Sequence, residues 1–142
     1  MTVAKVQFAA YWTRFYISYP AAQLARFCVS AGPSNWAALT HLIGYLIRRP
    51  SLKIKYRKGA DGGIDGFTDS DCENSVSRKS TTGLVAWYGR APVLWRSKMQ
   101  KTVSLSSAEA EYYSASEMAI EITYLSNLLG NMGLLQGDNT GV

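Results

Sequence analysis

From residue 106 to residue 132 apolar side chains return at Ala115, Met118, Ile122, Leu125, Leu129 and Met132, the three-and-four spacing of one long amphipathic helix. One position in that stripe is an acid. At 100° per residue Glu111 falls within roughly 60° of these positions, which predicts a carboxylate at the centre of the inward face. Carboxylates are rarely buried unpaired, so the pattern points to a metal, a cation or a polar cavity beneath Glu111, or else to a side chain that reaches solvent near the helix end. Glu109 points to the opposite side and has a structural explanation. Ser106-Ser107-Ala108-Glu109 matches a capping box, in which hydroxyl and carboxylate each satisfy an orphan backbone N–H.

Upstream the period changes. Ile64-Asp65-Gly66-Phe67-Thr68-Asp69 reads as a strand, and Thr-Thr-Gly-Leu-Val-Ala-Trp-Tyr (81–88) and Pro-Val-Leu-Trp-Arg-Ser-Lys (92–98) read as two more, joined as a hairpin through Gly89-Arg90-Ala91. Residues 52–57 alternate Lys53, Lys55 and Arg57 with Ile54 and Tyr56, which predicts a further strand with three cations on one face. A helix is expected after Gly32-Pro33, capped by Ser34 or Asn35 and stopped by Pro50. The aromatic-rich first thirty residues read as helix in pieces, interrupted at Pro20. After a turn at Gly133, residues 134–137 read as a final short strand ending at Asp138.

Three strands in a meander, a crossover helix and one more strand make an α/β fold with a sheet of mixed direction. A right-handed crossover sets the last strand parallel beside the first, bringing Asp69 and Asp138 to the same end of neighbouring strands. Adjacent strands lie about 4.8 Å apart, so the two carboxylates could share an ion while the helix lowers Glu111 toward them. Three clustered acids repel unless cations neutralise them, and hard oxygen ligands suit Mg²⁺. Paired ions of that kind clamp the attacking and leaving oxygens in phosphodiester hydrolysis.

Charge adds a division of the chain. Its 142 residues carry a net charge of +5, but residues 1–60 hold nine basic residues and no acid, whereas all ten acids lie from Asp61 onward. The asymmetry predicts a boundary near Gly59-Ala60-Asp61-Gly62-Gly63 and a polyanionic partner for the first part. Lys53, Lys55 and Arg57 fit a track for phosphates, or equally the charged edge of a sheet. Two cysteines and one histidine make neither a disulfide framework nor a zinc site. The longest apolar run, residues 36–47, is too short to span a membrane. No membrane association and an intracellular location are the expectation.

Several blocks carry a resemblance. Phe67-Thr68-Asp69-Ser70-Asp71, Arg78-Lys79-Ser80-Thr81-Thr82-Gly83, the run from Val93 to Gln100, the run from Val103 through Glu109-Ala110-Glu111-Tyr112, and Asp138-Asn139 resemble, in order, the ribonuclease H domain of copia-type retrotransposon Pol polyproteins. Gln23-Leu24-Ala25-Arg26-Phe27, Trp36-Ala37-Ala38-Leu39 and Tyr45-Leu46 look like the connection joining reverse transcriptase to that domain. The resemblance covers about residues 21–142. Asn35 stands where the family usually has histidine, and Cys72 where it has tryptophan.

The resemblance implies a ribonuclease H-like fold in residues 61–142, shortened after Asp138, preceded by a basic helical connection segment in residues 1–60. It also implies hydrolysis of the RNA strand of an RNA–DNA hybrid during reverse transcription. Asp69, Glu111 and Asp138 would be the catalytic residues and hold two Mg²⁺ ions, with Mn²⁺ as a substitute. Strand acid, helix acid, strand acid is the ribonuclease H order, whereas retroviral integrases place the helix glutamate last. Arg78, Lys79, Arg96, Lys98 and Lys101, with Lys53, Lys55 and Arg57, are candidate contacts for the hybrid's phosphates. Trp87, Tyr88 and Trp95 read as core. The expected partners are the hybrid and the rest of the Pol polyprotein, with no small-molecule cofactor, in a cytoplasmic virus-like particle or the nucleus. The other reading is a noncatalytic, decayed fragment that at most binds nucleic acid.

Overall fold

The computed structural model describes residues 2–57, 63–71 and 79–135. The chain divides into two compact units, Met1–Ile54 and Lys55–Val142.

The first unit is helical. Helix α1 covers Thr2–Trp12, a single 3-10 turn covers Phe15–Ile17, α2 covers Ser18–Arg26 and α3 covers Pro33–Arg48. The expected interruption at Pro20 falls earlier, at the turn. Pro20 is the third residue of α2, in the first turn, where a backbone N–H has no intrahelical acceptor and its loss costs little. Helix α3 likewise starts differently from expectation. Gly32 occupies the N-cap without a side-chain hydrogen bond and Pro33 takes the first helical position, so neither Ser34 nor Asn35 caps it.

Val6, Ala10, Ile17, Ala21, Leu24, Leu39 and Leu42 form the buried core of this unit. Arg14 ties down the chain beyond α3: its guanidinium donates to the Tyr16 hydroxyl at 2.7 Å and to the carbonyls of Leu52 and Pro50. Phe8, Trp12 and Trp36 stay about two-thirds exposed, so apolar surface on the unit exceeds what its own core covers.

Residues 52–57 form no strand. Extended alternation stabilises nothing unless a neighbouring backbone accepts its hydrogen bonds, and here the segment's polar backbone stays outside any sheet. Tyr56 instead anchors its hydroxyl on the Pro92 carbonyl at 3.0 Å.

The second unit is α/β. Strands β1 (Ile64–Asp71), β2 (Thr81–Tyr88) and β3 (Ala91–Met99) pair antiparallel in the order β1-β2-β3, followed by α4 (Ser107–Asn131). The hairpin turn is two residues long. Gly89 and Arg90 both take positive φ, 58° and 63°, the geometry whose twist matches antiparallel strands.

Regular register from Ile64↔Tyr88 to Asp71↔Thr81 fixes which side chains share a face. Thr82, Leu84 and Ala86 of β2 point toward α4, together with Gly66, Thr68 and Ser70 of β1. Leu84, Ala86, Met118 and Leu125 form the core, with Ile64, Val93, Leu94 and Ile122 packed against it. Burying each large member contributes about 1.5–3 kcal/mol. Gly66 marks the closest approach, since a Cβ there would lie 2.6 Å from Ile122 Cδ1 and 2.9 Å from Met118 Sδ.

The start of α4 follows the capping box. Ser106 is the N-cap and its hydroxyl accepts from the Glu109 amide at 3.1 Å, while the Glu109 carboxylate reaches back to the Leu105 amide at 2.6 Å. The final strand expected over residues 134–137 does not form at Leu134 and Leu135, and the rest of it lies outside the described residues. Leu134 is held otherwise, its carbonyl accepting from the Tyr88 hydroxyl at 2.7 Å.

Candidate active site

The site begins at the end of the sheet where β1 finishes, β2 starts and β3 finishes. Asp69 pairs in register with Gly83, and Gly83 with Ser97. The first turns of α4 come to this same end. Gln100, one residue beyond β3, donates from Nε2 to Thr82 Oγ1 at 3.1 Å and to the Ala110 carbonyl at 3.1 Å. Asp69, the cross-strand partner of Gly83 beside Thr82, and Glu111, beside Ala110, therefore lie toward the same end of the second unit, with Asp69 on the face of the sheet opposite α4.

Glu111 is not buried in the apolar stripe, as the helical wheel predicted; it is exposed. The wheel gives a direction but not where the sheet ends. Over the middle of α4, that direction carries Met118, Ile122 and Leu125 into the core; at its start the helix has reached the margin of the sheet. There the inward positions are the small residues Ala110 and Ser114, both buried, and Ala115 and Met132 of the expected stripe are exposed. The Ser114 hydroxyl donates to the Glu111 carbonyl at 2.8 Å.

Asp69 is exposed as well. Strand alternation directs it, with Asp65, Phe67 and Asp71, away from the face that α4 covers. Among the described residues no group of three acids, histidines or cysteines is close enough to hold a metal ion. Asp138, the third expected acid, lies outside the described residues, as does Arg78. The donor chemistry of Asp69 and Glu111 suits a hard divalent cation: both offer carboxylate oxygens open to solvent.

The basic candidates separate into distinct environments. Lys53, Lys55, Arg57, Lys98 and Lys101 are exposed, and Lys79 is half-buried. Arg96 is committed elsewhere. On the α4 face of β3 its guanidinium meets Glu117 at 3.4 Å and Glu121 at 3.2 Å, so its charge ties strand to helix instead of facing a ligand. The pair Glu117 and Glu121, one turn apart on the helix, was the sequence signal for that role. In the first unit, a groove along α3 is lined by Thr40, His41, Gly44, Tyr45, Arg48 and Arg49. Trp87, Tyr88 and Trp95 are half-buried in the hairpin.

A three-strand meander and a following helix with exposed carboxylates toward one end make an α/β unit, and sequence comparison shows what the chain resembles. Along most of its length the chain is similar to retrovirus-related Pol polyproteins of transposons. It is 33% identical, over 94% of its length, to the retrovirus-related Pol polyprotein from transposon TNT 1-94 of Nicotiana tabacum, covering 10% of that protein. It is 31% identical to the corresponding polyprotein from transposon RE2 of Arabidopsis thaliana over 93% of this chain and 9% of that one. The chain thus spans about a tenth of the length of these polyproteins. The secreted RxLR effector protein 161 of Plasmopara viticola is 34% identical over 72% of this chain and 73% of its own. No family model matches, and no solved structure matches. Among the described residues, no helix is long and apolar enough to cross a membrane.

Proposed function

We propose that the chain is the ribonuclease H module of a retrotransposon Pol polyprotein, with residues 1–60 forming the end of the reverse transcriptase connection and residues 61–142 the nuclease domain. The observation that carries this reading is that Asp69 on β1 and Glu111 on α4 lie toward one end of a meander-plus-helix unit, in a chain similar to Pol polyproteins of transposons. Asp138 is assigned as the third acid from its Asp-Asn block.

Asp69, Glu111 and Asp138 would hold two Mg²⁺ ions, which supply Lewis-acid activation of water and stabilise the leaving oxygen. The chain's own residues do the rest. The carboxylates fix the cleavage point on the RNA strand, and the exposed Lys98 and Lys101, together with Lys79, take phosphates on either side of it. Lys53, Lys55 and Arg57 add affinity for the hybrid without choosing sequence. Recognition then rests on backbone shape and the 2′-hydroxyl. The partners are the hybrid and the remainder of the polyprotein, and the exposed aromatics Phe8, Trp12 and Trp36 are consistent with a unit that is part of a larger body.

The direct test is a labelled RNA–DNA hybrid with Mg²⁺. Cleavage of the RNA strand, lost in Asp69→Asn and in Glu111→Gln, supports the assignment. Cleavage that survives both substitutions comes from a contaminant and removes it. The exposure of the cations at residues 53, 55 and 57 favours a second reading, a noncatalytic fragment that binds nucleic acid. It predicts a salt-sensitive gel shift with no cleavage at any Mg²⁺ or Mn²⁺ concentration.

A further inference from the structure

We propose that Gln100 is a positioning residue for Glu111: its buried carboxamide locks the first turns of α4 to the sheet end that carries Asp69. The consequence for metal binding rests on the nuclease reading, whereas the lock itself does not.

Gln100 is 3% exposed, and its amide is fully engaged. Both Nε2 hydrogens are used, one on Thr82 Oγ1 and one on the Ala110 carbonyl, each at 3.1 Å. Oε1 accepts from the Ser104 hydroxyl at 2.9 Å, and the backbone N–H donates to the Ser80 carbonyl at 2.8 Å. Ser80, Thr82, Ala110 and Ser114 around it are almost completely buried, so groups left unsatisfied here have no water to turn to.

The geometry selects glutamine. Two donors and one acceptor on a single flat group are needed, at the reach of two methylenes from a strand end. Glutamate carries no donor when ionised, asparagine is one methylene short, and methionine fills the volume without bonding.

The chain of connection is short. Asp69 pairs with Gly83, whose neighbour Thr82 is held by Gln100, and Gln100 holds Ala110, whose neighbour is Glu111. Because Glu111 is exposed, its place is set by the backbone that carries it. Free of this clamp, the helix start would be fixed by its cap and by the small buried side chains of Ala110 and Ser114, ahead of the first large core residue, Met118, two turns later. On the nuclease reading, a helix carboxylate that holds small cations at rigid coordination distances tolerates little such play.

The experiment compares Gln100→Met with the parent protein by hydrogen exchange and by Mn²⁺ binding, using the full chain. If Gln100 is the lock, amides in residues 109–114 exchange about tenfold faster while those in residues 118–129 change little, because the opening is local. Leu129→Ala, at the far end of α4, serves as the control for general destabilisation and should not quicken the first turns selectively. Equal quickening along the whole of α4 in Gln100→Met overturns the proposal. Should that variant lose its sheet, Thr82→Val keeps the volume and removes one acceptor, and the same contrast between the two ends of α4 decides.

Titration calorimetry with Mn²⁺ reads the consequence. Weaker binding by several-fold in Gln100→Met, with parental affinity in Leu129→Ala, supports positioning; unchanged affinity alongside unchanged exchange overturns it. If the parent protein itself shows no Mn²⁺ binding that Asp69→Asn removes, the nuclease reading fails, and the exchange contrast alone judges the lock.

Discussion

Placement of Glu111 depends on how α4 lies across β1, and that contact is tight at Gly66. At Gly66 an added methyl would stand 2.6 Å from Ile122 Cδ1 and 2.9 Å from Met118 Sδ, about 1 Å inside ordinary contact. Both atoms belong to flexible ends, so Gly66→Ala forces side-chain shifts more than backbone movement, and the cost is about 1–2 kcal/mol, at the lower half of the range for overpacking. Ile122→Val removes the nearer atom and by itself costs about 1 kcal/mol. In the double variant the new methyl occupies space the deleted one vacated. The pair should therefore cost about 1 kcal/mol less than the sum of the single changes, a coupling well above the few tenths seen for separated sites.

Urea unfolding of the four proteins, followed by far-UV circular dichroism, measures the coupling, with similar m-values required for the comparison. Strand and helix propensity differences cancel in the cycle, which leaves the contact. Additivity within about 0.3 kcal/mol would mean that Gly66 and Ile122 do not touch. The helix would then cross β1 elsewhere, and the placement of Glu111 at the Asp69 end would lose its support.

Other expectations follow from single features of the second unit. Arg90 holds a left-handed conformation at φ 63°, so Arg90→Gly should raise stability by about 0.5–1 kcal/mol in thermal unfolding, and a loss would contradict the turn geometry. Arg96→Met should lower stability by about 1 kcal/mol, as Glu117 and Glu121 are left one turn apart without their shared cation, and the loss should shrink in high salt; a weaker affinity for hybrid at unchanged stability would instead make Arg96 a phosphate contact. Ser106→Ala removes the N-cap of α4 and should cost about 1 kcal/mol, with helix content falling first at residues 107–113 by hydrogen exchange.

What was legible in the sequence was local. The bounds of α4 were set by a serine cap, its glutamate partner and the glycine at 133, all within a few residues of the ends they define. The hairpin was set by Gly89-Arg90 and flanking alternation. What failed needed knowledge of neighbours. Alternation at residues 52–57 looks the same whether or not another strand is there to receive it, and Pro33 displaced two better capping side chains because its ring suits the first helical position. The inward bearing expected of Glu111 does not bury it, because Ala110 and Ser114 take the inward positions at that height and burial depends on what the sheet offers there. Gln100 lay inside a recognised block without a role, since nothing in the order of residues says that one amide will meet Thr82, Ala110 and Ser104 together.

These cases bear on what the exposure of the two acids means for the fold. A buried carboxylate would have required its counter-charge before the chain could fold, because an unpaired interior charge costs several kcal/mol. Exposed carboxylates on a rigid frame impose no such condition. The fold is completed by Leu84, Met118, Leu125 and the polar clamp at Gln100, and the exposed Asp69 and Glu111 contribute little to its stability. Charge-neutral substitution of either acid should therefore leave unfolding midpoints nearly unchanged while removing metal binding, whereas changes at Gly66 or Gln100 should alter both. The frame is thus built by its supports, and both acids are left in solvent without a share in holding it together.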